Sequence, residues 1–200
     1  MITYIIIGIT VLFSFLCFRD VRLFEKNAFV PYRVFRNGEW YRIITHGFVH
    51  ADMTHLFVNM LTLWSFGVFV EDAFNILDFG KGGYAGLYFG GMAAASLFDL
   101  FKRKDDVSYV SIGASGAVAA VLFTSILLNP WGKILFFGIL PVPGLVFGIL
   151  YLVYCQYMAK RGGDNINHNA HFYGSVFGLL YPVVFKPELL KLFFINVFPE

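Results

Sequence analysis

Charge is scarce in this chain. Only 14% of its 200 residues are Asp, Glu, Lys or Arg, while 58% are hydrophobic. A water-soluble domain of this length cannot hide so much apolar side chain, which leaves an integral membrane protein. The formal net charge of +2 gives no basis for a nucleic-acid partner. Cysteine is nearly absent too. Cys17 and Cys155 each fall inside an apolar segment, so they read as buried small residues rather than a disulfide or a metal site. Ten-residue alternating segments are missing, which argues against a barrel. The N-terminal stretch lacks a basic region and a small-residue cleavage site, so it reads as a retained first helix. No internal repeat, linker or second domain is visible, and residues 1–200 are expected to form one membrane domain.

What is present is apolar and helical. Six candidate spans fall near 2–18, 54–72, 84–101, 112–128, 134–158 and 169–185. A helix needs about 20 residues to cross the hydrocarbon layer, so the shorter runs are expected to stand upright. The fold class expected is all-α and polytopic. Between the first two spans lies a long loop in which six basic residues mix with Phe, Tyr and Trp, suited to the membrane surface. The stretch "NPWGK" reads as a tight turn, "PVPG" at Pro141–Gly144 as a flexible break, and the tail as an interfacial helix.

Six spans place the starts of the second, fourth and sixth on one side of the membrane. Four polar residues sit in those first turns. His55 and Asn59 are four apart and share a helix face; Ser115 opens the fourth span and His171 the sixth. Singly, each has a bland reading: Ser115 as a packing residue, His171 as a structural histidine, His55 and Asn59 as interhelical hydrogen bonders. Four such groups at matched depth, on three helices, point instead to a site.

The chemistry they suit is acyl transfer. A serine hydroxyl needs a base to take its proton, and a histidine can do that and later protonate the leaving amine. Backbone N–H groups of Ser115 and Gly116 at a helix start, with the His55 and Asn59 side chains, suit a developing oxyanion. Gly113 and Gly116 allow the backbone to bend and approach a carbonyl. Gly174 and Gly178, spaced G-x-x-x-G, suit close contact between the sixth and fourth spans.

With these residues in view, the sequence resembles the rhomboid intramembrane serine proteases of bacterial type. The likeness runs from "EWYRIITHGFVHADMTHLFVNM" through "GASG" to "AHFYGSVFG". It implies a six-helix bundle with Ser115 as nucleophile and His171 as general base, and His55 and Asn59 at the oxyanion. It also implies that Arg42 and Glu39 hold the first loop, with structural roles for His46, His50 and Glu71. One departure stands out. The family often has tyrosine four residues after the serine, stacked under the histidine, where this chain has Ala119.

The resemblance further implies substrates that are transmembrane segments of other proteins, a lipid bilayer around the chain and no cofactor or metal. It implies a bacterial inner membrane with the site opening outward. The loop cations vote the other way, because most lie on the side the family places outside. The rivals are a catalytically inactive relative that binds membrane helices, a metal site at His46, His50 and His55, and a small transporter. A triad through Asp99 or Asp164 is conceivable, but both are expected to be solvated carboxylates, and a dyad is the reading.

Overall fold

The structure is a computed structural model, and it describes residues 1–136 and 139–198. Its helices, in chain order, are α1 (Ile2–Arg19), α2 (Val21–Asn27), α3 (Pro31–Asn37), α4 (Arg42–Thr45), α5 (Met53–Ile76), α6 (Gly80–Lys102), α7 (Ser115–Leu128), α8 (Gly144–Arg161), α9 (His168–Phe185) and α10 (Glu188–Val197). Local chemistry explains many of their starts. The Asp20 carboxylate accepts from the N–H groups of Arg22 and Leu23 and opens α2. Pro31 begins α3, where its missing N–H costs nothing. Asp52 caps α5 and Asn167 caps α9.

The long loop before α5 is thus three short helices and a 3-10 turn over His46–Phe48. Arg42 holds it together. Its guanidinium is buried, donating to the carbonyls of Glu25 at 2.8 Å and Ala28 at 2.6 Å, and it pairs with the Glu39 carboxylate. At the far end of α5, Glu71 accepts from the N–H groups of Ile2 and Thr3 and from the Thr3 hydroxyl, fastening the start of α1.

α7 is the centre of the molecule. Every residue from Gly116 to Leu127 is buried, although the helix has no amphipathic face of its own. A helix that is apolar all round must be enclosed by others, and α5, α6 and α9 enclose it. Other helices of the bundle instead turn apolar side chains outward: Ile5, Ile9 and Leu12 on α1, Phe57, Leu61 and Trp64 on α5, Ile149, Leu150 and Val153 on α8. Among the described residues α1 and α5 are long and apolar enough to cross a membrane by length and composition.

One expected span is different. The helix read over 134–158 begins only at Gly144; before it, Lys133–Phe136 and Leu140–Pro143 pair as an antiparallel hairpin. Two prolines, at 141 and 143, remove N–H donors and set the backbone against a helix. Residues 137 and 138 of that expected span lie outside the described residues. The "PVPG" stretch is therefore the second strand and the entry to α8. Bonds from the N–H groups of Gly144 and Leu145 to the carbonyls of Gly132 and Pro130 close the hairpin.

Candidate active site

Two helix starts meet at the middle of the bundle. An added Cβ at Gly174 would overlap the carbonyl of Gly116, and one at Gly178 would overlap that of Ala120. Backbone meets backbone here, and only glycine allows it. The Thr124 hydroxyl donates to the Gly178 carbonyl at 2.7 Å, adding a polar tie to the same contact. Ser115, the first residue of α7, lies next to Gly116; His171, in the first turn of α9, lies next to Ala170, whose carbonyl also faces Gly116. Both side chains are half-buried.

The turn ahead of Ser115 is held from the first loop. Gly113 has φ +106°, a conformation other residues adopt only under strain. Its N–H donates to the His46 carbonyl at 3.0 Å, and the N–H of Ala114 reaches His50 Nε2 at 3.5 Å. The Ser14 hydroxyl donates to the Phe48 carbonyl, so His50 Nδ1–H donates to Ser14 Oγ at 2.9 Å. That tautomer leaves Nε2 free to accept from Ala114. Burial holds His50 down at about 3 and His46 at about 4, so both act as neutral rings. His46 Nε2 meets the Ser96 hydroxyl at 3.0 Å.

His55 packs directly on Gly113: a Cβ there would sit 2.8 Å from its Nε2. Its ring stands edge to face with His50, centroids 4.9 Å apart. Asn59, buried one turn further along α5, donates to the His55 carbonyl at 2.9 Å, which leaves one amide N–H uncommitted by that bond. The first N–H groups of α7, on Ser115 and Gly116, have no intrahelical acceptor because the chain ahead of them is not helical. A helix start with free N–H groups, with the His55 imidazole packed against the turn ahead of it, is chemically suited to a negative oxygen.

Two parts of the surroundings come from contacts between separate segments. Asp99 is buried, not solvated. It accepts from the Tyr109 hydroxyl at 2.8 Å and the Asn167 amide at 2.7 Å, and Asn167 also reaches Ser111 while capping α9. The end of α6, the segment before α7 and the start of α9 are thereby tied at one point. The N-cap position of Asn167 was the available signal. Asp164 is exposed, yet its carboxylate engages His168 Nε2 at 3.1 Å. Among the described residues no carboxylate is hydrogen-bonded to His171.

The second is Tyr151, on α8. Its ring lies nearly parallel to that of His171, at 19° and 6.2 Å between centroids, and also to that of Phe147, at 18° and 5.6 Å. An aromatic plane thus lies beside His171 although Ala119 provides none. The sequence carries no local signal for it, because Tyr151 sits on another helix.

His46, His50 and His55, considered together as metal ligands, do not form a three-ligand cluster among the described residues. Among the described residues the one cluster of three possible ligands is Cys155, His168 and His171.

The Rhomboid domain profile matches residues 37–188, which runs from the end of α3 through α9. The chain belongs to the rhomboid family. That family is integral to membranes and includes intramembrane proteases. The chain is 36% identical over 146 residues to Rhomboid protein 1, mitochondrial, of Saccharomyces cerevisiae, covering 70% of this chain and 40% of that protein. It is 28% identical over 165 residues to RHOMBOID-like protein 12, mitochondrial, of Arabidopsis thaliana, covering 75% and 48%. Rhomboid protease GluP of Bacillus subtilis is 29% identical over 125 residues, covering 60% and 23%. The chain thus spans about half the length, or less, of these relatives. Mitochondrial relatives stand beside the bacterial one, so the expected bacterial inner membrane finds no support in the likeness.

Proposed function

We propose that this rhomboid chain is an intramembrane serine endopeptidase that cleaves peptide bonds in or near transmembrane segments. Ser115 attacks the scissile carbonyl while His171 takes its proton and returns it to the leaving amine. The N–H groups of Ser115 and Gly116, with His55 and Asn59, receive the oxyanion. A water then hydrolyses the acyl-enzyme. The six expected spans correspond to α1, α5, α6, α7, α8 and α9, with the site opening to the side where α5, α7 and α9 begin.

The observation that carries this reading is the backbone contact of Gly116 with Gly174, which sets the starts of α7 and α9 side by side. Length adds a second argument. The 14 residues of α7 span roughly 21 Å, well short of a hydrocarbon layer of about 30 Å. Enclosed at mid-bundle, such a helix begins below the membrane surface, where a substrate carbonyl must be unwound to be reached. Inactive relatives usually lack the serine or the histidine, and both are present here; the Tyr151 ring beside His171, where Ala119 offers none, supports the active reading.

The test is cleavage of a single-span substrate by purified protein in detergent, with a chelator present. Loss of cleavage in both Ser115→Ala and His171→Ala, at unchanged thermal stability, is expected. Equal cleavage by parent and variants would overturn the assignment.

A further inference from the structure

The geometry points to a transition-metal site at Cys155, His168 and His171, one that withdraws His171 from catalysis when Zn2+ occupies it. One donor atom from each residue lies within 4.8 Å of the other two. Cys155 is wholly buried on α8, and His168 and His171 share a face of α9, three residues apart.

The chemistry of the donors matches Zn2+. Thiolate and imidazole are its preferred protein ligands, and three of them leave a fourth position for water. In a tetrahedral site with such bonds the donors stand roughly 3.5 Å apart, against the 4.8 Å within which they lie here. His168 supplies the independent sign. Only 4% of it is exposed, and its Nδ1 is buried without a hydrogen-bond partner among the described residues. An unpaired buried ring nitrogen costs free energy that a metal ion would recover. Its other nitrogen is already held by Asp164, the carboxylate–imidazole pair that orients metal-bound histidines and raises their basicity.

Binding requires the thiol proton to leave, so each Zn2+ bound releases H+ to solvent and affinity rises with pH. The inhibitory consequence rests on His171 being the general base: a ring nitrogen bonded to zinc has no lone pair for the serine proton. Half-buried His171 is the point of entry, since Cys155 and His168 are enclosed.

Metal binding is tested apart from catalysis, on the Ser115→Ala protein in detergent titrated with Co2+. A 1:1 complex with a thiolate-to-cobalt charge-transfer band is expected. Cys155→Ser should abolish the band, His168→Gln should weaken binding by about tenfold or more, and Cys17→Ser should change neither. Should Cys155→Ser fail to fold, His168→Gln still decides. A complex without the thiolate band, or a band that survives Cys155→Ser, overturns the site. In the Ser115 protein, Zn2+ should then suppress cleavage, each variant being compared with its own metal-free rate, and Cys155→Ser should relieve it. Unsuppressed cleavage at metal saturation overturns the inhibitory role. Cobalt binding in a protein that cleaves nothing upholds the site while the protease reading falls.

Discussion

The Tyr151 ring lies nearly parallel to the His171 imidazole, 6.2 Å away, and joins α8 to the proposed general base. Aromatic pairs at this separation contribute about 0.5–1.5 kcal/mol beyond the area they bury. On the proposed mechanism Tyr151 acts as a positioning residue, holding the imidazole plane from a helix that carries neither the proposed nucleophile nor the proposed base. Tyr151→Ala should lower kcat by about tenfold with little change in KM, and Tyr151→Phe should restore most of the rate. An equal loss in Phe and Ala variants would assign the effect to the hydroxyl instead.

The α7–α9 contact sets a second expectation. Because Gly178 lies against the Ala120 carbonyl, even a methyl group forces the helices apart. Gly178→Ala should cost about 1–3 kcal/mol, read as a lower Tm in detergent, and should reduce cleavage more than stability alone explains. A variant as stable and active as the parent would show that the helices separate freely.

Asn167 joins three segments, so its loss should be felt in all of them. Asn167→Ala removes a helix cap and one of the two hydrogen bonds that the buried Asp99 carboxylate receives. The expected cost is about 2 kcal/mol or more. Asp99→Asn should cost less, since an amide oxygen still accepts from Tyr109. Reversal of that order, measured by thermal unfolding, would argue against a network centred on Asn167.

Acid should loosen the first loop. His46 is held at about 4 and His50 at about 3, both below the ordinary 6.5, because burial opposes their charged forms. The unfolded chain then binds more protons than the folded one, so stability is full above about pH 6.5 and falls progressively toward pH 4. For His46 alone the loss approaches about 3 kcal/mol. His46→Gln should flatten the dependence of Tm on pH between 6.5 and 4, while an unchanged slope would place the acid sensitivity elsewhere.

The unequal legibility of these features has physical causes. Gly174 and Gly178 stand out because a four-residue spacing marks one helix face, and Ser115 and His171 because polar groups are rare in apolar runs. The burial of Asp99 is not legible in the sequence, since a carboxylate near a helix end is usually solvated and its partners Tyr109 and Asn167 lie on other segments. The hairpin ahead of α8 is hidden because Ile134 and Leu135 prolong an apolar run, and hydropathy does not distinguish a strand from a helix there. Cys155 read as a small buried residue, which it is; the two histidines beside it come from another helix.

The sequence by itself determined what this chain must satisfy: apolar runs that require lipid or enclosure, helix starts written in Asp20, Asp52 and Asn167, and the family membership that its motifs declare. Periodicity and composition are local, and so are the properties they settle. Tertiary structure decided what surrounds each reactive group. The ring beside His171, the burial of Asp99 and the approach of Cys155 to two histidines all arise where separate helices meet. Such contacts depend on the angle and depth at which whole helices pack, which no single segment encodes.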